Sequence, residues 1–152
     1  MRKHLIFRIW ETRFAVDVGK VVEVMNPVGL DPIPEMPDFV VGLKDVRGEM
    51  IPIVDMRDRM GVAPSTKRDR MFTINVDGDK VGLIVDDVLG VQLIDTDDVR
   101  RPPVLFRGLK KKFMEGLCGQ KDEVIVLLNI EKILTLDEAI ALRVARKVKA
   151  AK

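Results

Sequence analysis

Side chains that carry chemistry are scarce in this chain. It has one histidine, one cysteine, one tryptophan and no tyrosine. The single cysteine, Cys118, excludes an internal disulfide and fits a reducing compartment. The single histidine, His4, lies near a terminus expected to fray, and alone it supplies neither a triad with its partners nor a zinc ligand set. Without a histidine close in sequence, Cys118 reads as a buried thiol in Gly116-Leu117-Cys118-Gly119, not a nucleophile. No Gly-x-Gly-x-x-Gly and no Gly-Lys-Ser/Thr occurs, so no phosphate cradle is signalled. Long apolar runs are missing as well. Leu5-Ile6-Phe7 is cut by Arg8, far short of the roughly 18 residues of a membrane span. The chain therefore reads as cytoplasmic, with no direct membrane insertion and no cofactor.

Charge excludes little more. The net charge is +2 and the pI about 8.7, mildly basic and below the usual footprint of a nucleic-acid binder. Lys110 to Lys112 and the C-terminal Arg143, Arg146, Lys147, Lys149 and Lys152 form basic groups that read as solvated faces. A small β-barrel nucleic-acid-binding protein is the alternative they support, but aromatics for base stacking are few. Asp55, Asp86 and Asp87 could form a carboxylate pair for hydrolysis. None sits in an Asp-Thr/Ser-Gly signature, and strand-ending aspartates more often cap the next turn. A hydrolase would need Asp55 and Asp86 to converge in one cleft. A non-enzymatic binding module is the default reading.

What is present is a succession of short strands. Leu5 to Ile9 and Phe14 to Val18 read as a hairpin, and Val21 to Met25 as a strand ended by Asn26-Pro27-Val28-Gly29. Asp31 to Pro37 holds three prolines and reads as an edge or connector. Asp38 to Gly42 fits one helical turn, capped by Asp38 and stopped at Gly42. Leu43 to Arg47 and Met50 to Val54 read as strands joined at Gly48-Glu49, with Pro52 pointing to an edge. A short helix over Asp55 to Met60 stops at Gly61. After a polar linker, Val62 to Arg70, the pattern restarts: Met71 to Val76, an Asp77-Gly78 turn, and Lys80 to Val85. Val88 to Ile94, Phe113 to Cys118 and Glu123 to Leu128 are further strands. A short helix follows over Asn129 to Leu134, then one from Asp137 to about Lys149 with Ile140, Val144 and Val148 on one stripe. The class is mainly β in two small barrel-like lobes.

Five segments together resemble the CheW family of chemotaxis adaptors: FAVDVGKVVEV (14–24), PEMPDFVVGLKDVRGEMIPIVDMRDRMG (34–61), KVGLIVDDVLGV (80–91), EGLCG (115–119) and VIVLLNIEKIL (124–134). The proline-spaced second segment is the most specific. The resemblance covers roughly Leu5 to Leu134 and implies two five-stranded SH3-like barrels packed side by side, with short helices and a C-terminal helix. It implies one CheW-like domain over 1–152, with a first lobe at about 14–61 and a second at about 71–134. The N-terminal strand and C-terminal helix would pack on either lobe.

The implied function is non-enzymatic scaffolding, coupling chemoreceptors to the histidine kinase CheA at membrane receptor arrays. Implied partners are the regulatory domain of CheA, the receptor's cytoplasmic hairpin tip and other CheW-like domains in array rings. By position, Leu5, Val18, Val21, Val24, Val88 and Leu89 would line the receptor groove. About half of them are expected to face solvent, since strand alternation buries the rest. Glu23 and Arg47 would pair as a surface partner contact, with Asp45 a rival for Arg47. Arg101 and Phe106 would contact the kinase domain.

Overall fold

The computed structural model describes residues 1–32, 39–61, 70–76, 78–101, 113–119 and 123–133. Among the described residues the regular elements are eleven strands, one short α-helix and three 3₁₀ turns. The strands are β1 (Arg2–Ile9), β2 (Thr12–Asp17), β3 (Val21–Met25), β4 (Leu30–Asp31), β5 (Val40–Val46), β6 (Glu49–Asp55), β7 (Arg70–Val76), β8 (Asp79–Val85), β9 (Asp87–Ile94), β10 (Met114–Cys118) and β11 (Ile125–Leu128). Helix α1 spans Met56–Met60. They form a five-stranded sheet, β10-β11-β2-β1-β9, and a six-stranded one, β3-β7-β8-β6-β5-β4, whose sixth member is the two-residue β4. The long C-terminal helix and the Pro64-Ser65 linker of the sequence reading lie outside the described residues.

Apolar residues run on consecutively in the inner strands because those strands are buried on both faces, as in β8 and β11. In β1, Leu5, Phe7 and Ile9 enter a large core shared by the sheets, while Ile6 enters a separate cluster with Ala15, Ile94, Cys118, Ile125 and Leu127. Across the shared core, Phe72, Ile74, Leu83 and Val54 come from the six-stranded sheet, and Phe7 packs against Phe14 and Phe72 at centroid distances of 5.6 and 4.9 Å. Behind that sheet, Ile51, Ile53, Met71 and Ile84 make a third cluster. The molecule thus has three apolar layers alternating with two sheets.

The sheets do not divide the chain at the 62–70 linker. β7 and β8 pair back onto β3 and β6, and the N-terminal hairpin β1–β2 joins β9 and β11 from the second half of the chain. Two of these non-local joins are parallel ladders, β6 with β8 and β2 with β11; those of β3 with β7 and β1 with β9 are antiparallel. Sequence periodicity reports which face a residue takes, not which distant strand it pairs with.

Three local expectations are corrected. Gly42 does not stop a helical turn but lies within β5, where a Cβ would meet the Asp31 carbonyl oxygen of β4 at 2.5 Å, so the close approach of β4 requires glycine. The turn between β5 and β6 is Arg47-Gly48, not Gly48-Glu49; both residues have positive φ, 53° and 83°, as a tight two-residue hairpin turn demands. Pro52 is not on an edge strand: β6 lies between β8 and β5. The parallel ladder with β8 begins only at Ile53, so Pro52 falls just short of it.

Candidate functional site

Helix α1 has five residues and two sheet-joining side chains. Asp55 caps it by accepting the Arg57 backbone N–H at 3.0 Å, and Gly61 closes it in the left-handed region. Arg57 then donates from Nε and Nη2 to Asp86 at 2.7 and 2.6 Å. The same carboxylate accepts the Trp10 backbone N–H at 2.6 Å, and the Asp86 N–H donates to the Arg8 carbonyl at 2.9 Å. Burial alone would push Asp86 up, but the Arg57 guanidinium and the Trp10 amide together outweigh it and hold the carboxyl below its ordinary range. Arg59, on the same helix, is buried with its guanidinium 4.4 Å from the Phe39 ring centroid and 5.0 Å from that of Phe113, and it donates to the Ile133 carbonyl. One helical turn therefore braces the six-stranded sheet against the five-stranded one. Asp55 and Asp86 are occupied as cap and ion-pair partner, and Asp87 accepts the Val88 N–H at 2.9 Å.

Glu23 and Arg47 meet as a two-bond pair, Nη1 to Oε1 at 2.9 Å and Nη2 to Oε2 at 3.0 Å. Asp45 does not compete: its Oδ1 accepts the Gly48 N–H at 2.8 Å and holds the turn that carries Arg47. The pair ties edge strand β3 to the β5–β6 hairpin.

The six apolar residues assigned to the receptor groove fall into three classes. Leu5 is buried in the shared core. Val18, Val21 and Val88 are half-buried against that same core, and Val24 and Leu89 are exposed. Val24 sits on edge strand β3. Leu89 is the extra residue at a β-bulge on edge strand β9, where the register with β1 shifts between Ile6 and Phe7. Val22 on β3, and Val91 and Leu93 on β9, are exposed too, although the resemblance did not single them out. Arg101 is exposed; Phe106 lies outside the described residues. Its neighbour Arg100 is the structural residue there, bridging to Leu117 by two backbone hydrogen bonds and donating to the Gly119 carbonyl at 2.6 Å.

Two further readings change. His4 is not frayed: it is buried in β1 between Asp17 of β2 and Gln92 of β9. Cys118 is buried as expected, and its burial raises the thiol, only partly opposed by Arg100. Sequence reasoning missed Arg57, Arg59 and Asp86 as a unit. The only signal was two arginines on a five-residue helix too short to need both for solubility. Among the described residues no group of three or more His, Cys, Asp or Glu is placed to hold a metal, and no helix is long and apolar enough to cross a membrane.

Two braced sheets with exposed apolar side chains on their edge strands define a protein-docking module. The chain belongs to the CheW-like domain family, whose pattern it matches over residues 3–138. It is 26% identical over 138 residues to "Chemotaxis protein CheW" of Treponema pallidum, covering 87% of this chain and 81% of that one. It is 32% identical over 132 residues to "Protein FrzA" of Myxococcus xanthus, covering 84% and 82%. The crystal structure of the scaffolding protein TtCheW from Thermoanaerobacter tengcongensis superposes with a TM-score of 0.81 at 29% identity, covering 90% of each chain. The chain is a chemotaxis adaptor of the scaffold type. Nothing in the fold or among these relatives favours the nucleic-acid alternative.

Proposed function

We propose that this protein couples chemoreceptors to the kinase CheA without catalysing a reaction. It would do so in the cytoplasm, recruited to receptor arrays. In this reading the helical tip of a receptor's cytoplasmic hairpin lays an apolar face on the surface formed by Leu5, Val18, Val21, Val24, Val88 and Leu89. The supporting observation is that Leu5, Val18, Val21 and Val88 belong to one apolar cluster that is only partly covered, while Val24 and Leu89 stand exposed on edge strands. Leu5 supplies the floor from beneath. The Glu23–Arg47 pair, Arg101 and Phe106 would serve the regulatory domain of CheA and other CheW-like domains in rings. Each contact can be weak, because array assembly adds effective concentration to modest pairwise affinities.

The reading includes two SH3-like barrels in one domain. In the five-stranded sheet, the Arg100–Leu117 bridge brings the segment after β9 onto β10, the opposite edge. In the six-stranded sheet, edge strands β3 and β4 are consecutive in the chain, which supports closure through Asn26–Gly29.

The test is kinase activity reconstituted from a receptor fragment, CheA and this protein. Receptor-dependent activity that requires this chain supports the proposal. Binding to neither partner in a pulldown overturns it.

A further inference from the structure

Among the described elements the chain crosses between the two sheets twice, and each crossing adjoins the surface proposed for the receptor. The first runs from β2 to β3 through the 3₁₀ turn Val18–Lys20, which carries Val18 and leads into Val21. The second runs from β8 to β9 at Asp86, just before Val88 and Leu89. The six-stranded sheet therefore supplies Val21 and Val24 to that surface, and the five-stranded one supplies Leu5, Val88 and Leu89. Strand β7 touches both β9 and the Val18–Lys20 turn, so the two halves meet over one strand. A partner helix that spans both halves is sensitive to the relative position of the sheets.

The two crossings are held unequally. At the first, Lys20 pairs with Glu131, yet the two side chains are 42 and 48% exposed, so solvent screens the pair. At the second, the side chains of Arg57 and Asp86 are only 17 and 11% exposed. Arg57 comes from α1, directly after β6 of the six-stranded sheet, and grips Asp86 with two hydrogen bonds. Asp86 also holds the other sheet. It accepts the Trp10 N–H, its own N–H donates to the Arg8 carbonyl, and Arg8 Nη1 stands 3.9 Å from its carboxylate. A guanidinium bonded twice to one carboxylate fixes direction as well as distance, which a point charge does not. Apolar packing can replace a covered ion pair at little cost, so stability alone is a weak reason for one here.

We propose that the Arg57–Asp86 pair is a positioning element for receptor docking: it locks the second crossing so that Val88 and Leu89 stand at a fixed offset from Val18, Val21 and Val24. This rests on the receptor reading above, and neither residue needs to touch the receptor. Without the pair the sheets keep their shared core but sample several offsets, and the docking-competent one becomes a fraction of the population. Receptor affinity falls by that fraction.

Spin labels on Val22→Cys in β3 and Val91→Cys in β9 measure the offset in the full chain without a receptor, because both sites are exposed and Cys118 is buried. Pulsed dipolar spectroscopy should give one narrow distance with the pair intact, and a broadened or shifted one with Asp86→Asn or Arg57→Gln. Arg57→Gln leaves Asp86 its bond to Trp10, so it carries the test where Asp86→Asn folds poorly. Unlabelled, both variants should bind a receptor hairpin fragment about tenfold more weakly, and the double variant no more weakly than the worse single one, as one shared contact requires. Gly119→Ala, strained at φ of 88° just after β10, controls for lost stability alone and should move neither readout. Unchanged distances in the single variants overturn the proposal. So do unchanged receptor affinity, additive losses in the double variant, or a Gly119→Ala protein that matches them in both readouts. Wild-type protein that fails to bind the fragment overturns the receptor reading itself. The distances, which need no receptor, tell that result apart from failure of the brace.

Discussion

Arg47 occupies a conformation that glycine would take more easily, and its guanidinium is mostly exposed, so its pairing with Glu23 contributes little to stability. Arg47→Glu should leave the circular dichroism spectrum and melting temperature close to wild type while weakening the link between receptor and kinase in the reconstituted assay. Unfolding of the variant would make Arg47 structural. Asp86 contrasts with it, because its carboxylate is largely covered and accepts from two elements at once. Asp86→Ala removes the largely covered ion pair with Arg57 and the acceptor of the Trp10 N–H, and should cost about 3 kcal/mol, read as a fall in the urea midpoint. Its folded carboxyl lies below the ordinary 3.8. The stability it contributes is therefore complete above that value and is lost as pH falls through the lower folded one, and Asp86→Asn should flatten this part of the acid-unfolding curve. The two pairs were unequally legible. Glu23–Arg47 could be read through the family resemblance, whereas Arg57 and Asp86 stand 29 positions apart with nothing local to match them. His4 was misread for a related reason: nearness to the terminus says nothing about a strand held on both sides.

At the level of elements, turns and caps were the most readable because their chemistry is local. Asp55 and Gly61 bound α1 where their types suggest, and Asn75 accepts the Gly78 N–H at 2.8 Å in the β7–β8 hairpin. The Arg47-Gly48 turn was misplaced by one residue because an arginine with positive φ is uncommon. Gly119, after β10, has a φ of +88°, and a Cβ there would meet the Glu123 carbonyl oxygen at 2.1 Å. Backbone cannot move aside as a side-chain tip can. Gly119→Ala should therefore destabilise by about 2 kcal/mol or more, measurable by chemical denaturation, and should loosen β10 from β11 first.

For the whole molecule, the class was legible and the partition was not. Short apolar runs buried on both faces announce stacked sheets, but the parallel ladders that carry β8 to β6 and β11 to β2 leave no mark in periodicity. The proposed docking surface rests on the resemblance, since a half-covered valine looks like a core valine in sequence. Leu89→Glu, at an exposed position, should retain wild-type stability and lose binding to a receptor hairpin fragment in a pulldown. A docking defect accompanied by unfolding would remove Leu89 from that surface.

The brace around Asp86 also has an optical consequence. Trp10 is the only tryptophan, sits half-exposed at the tip of the first hairpin with φ of 56°, and is clamped through its own amide to the carboxylate that Arg57 holds. Its fluorescence is therefore a native gauge at the junction of the sheets, reporting without any added label whether docking leaves that junction closed.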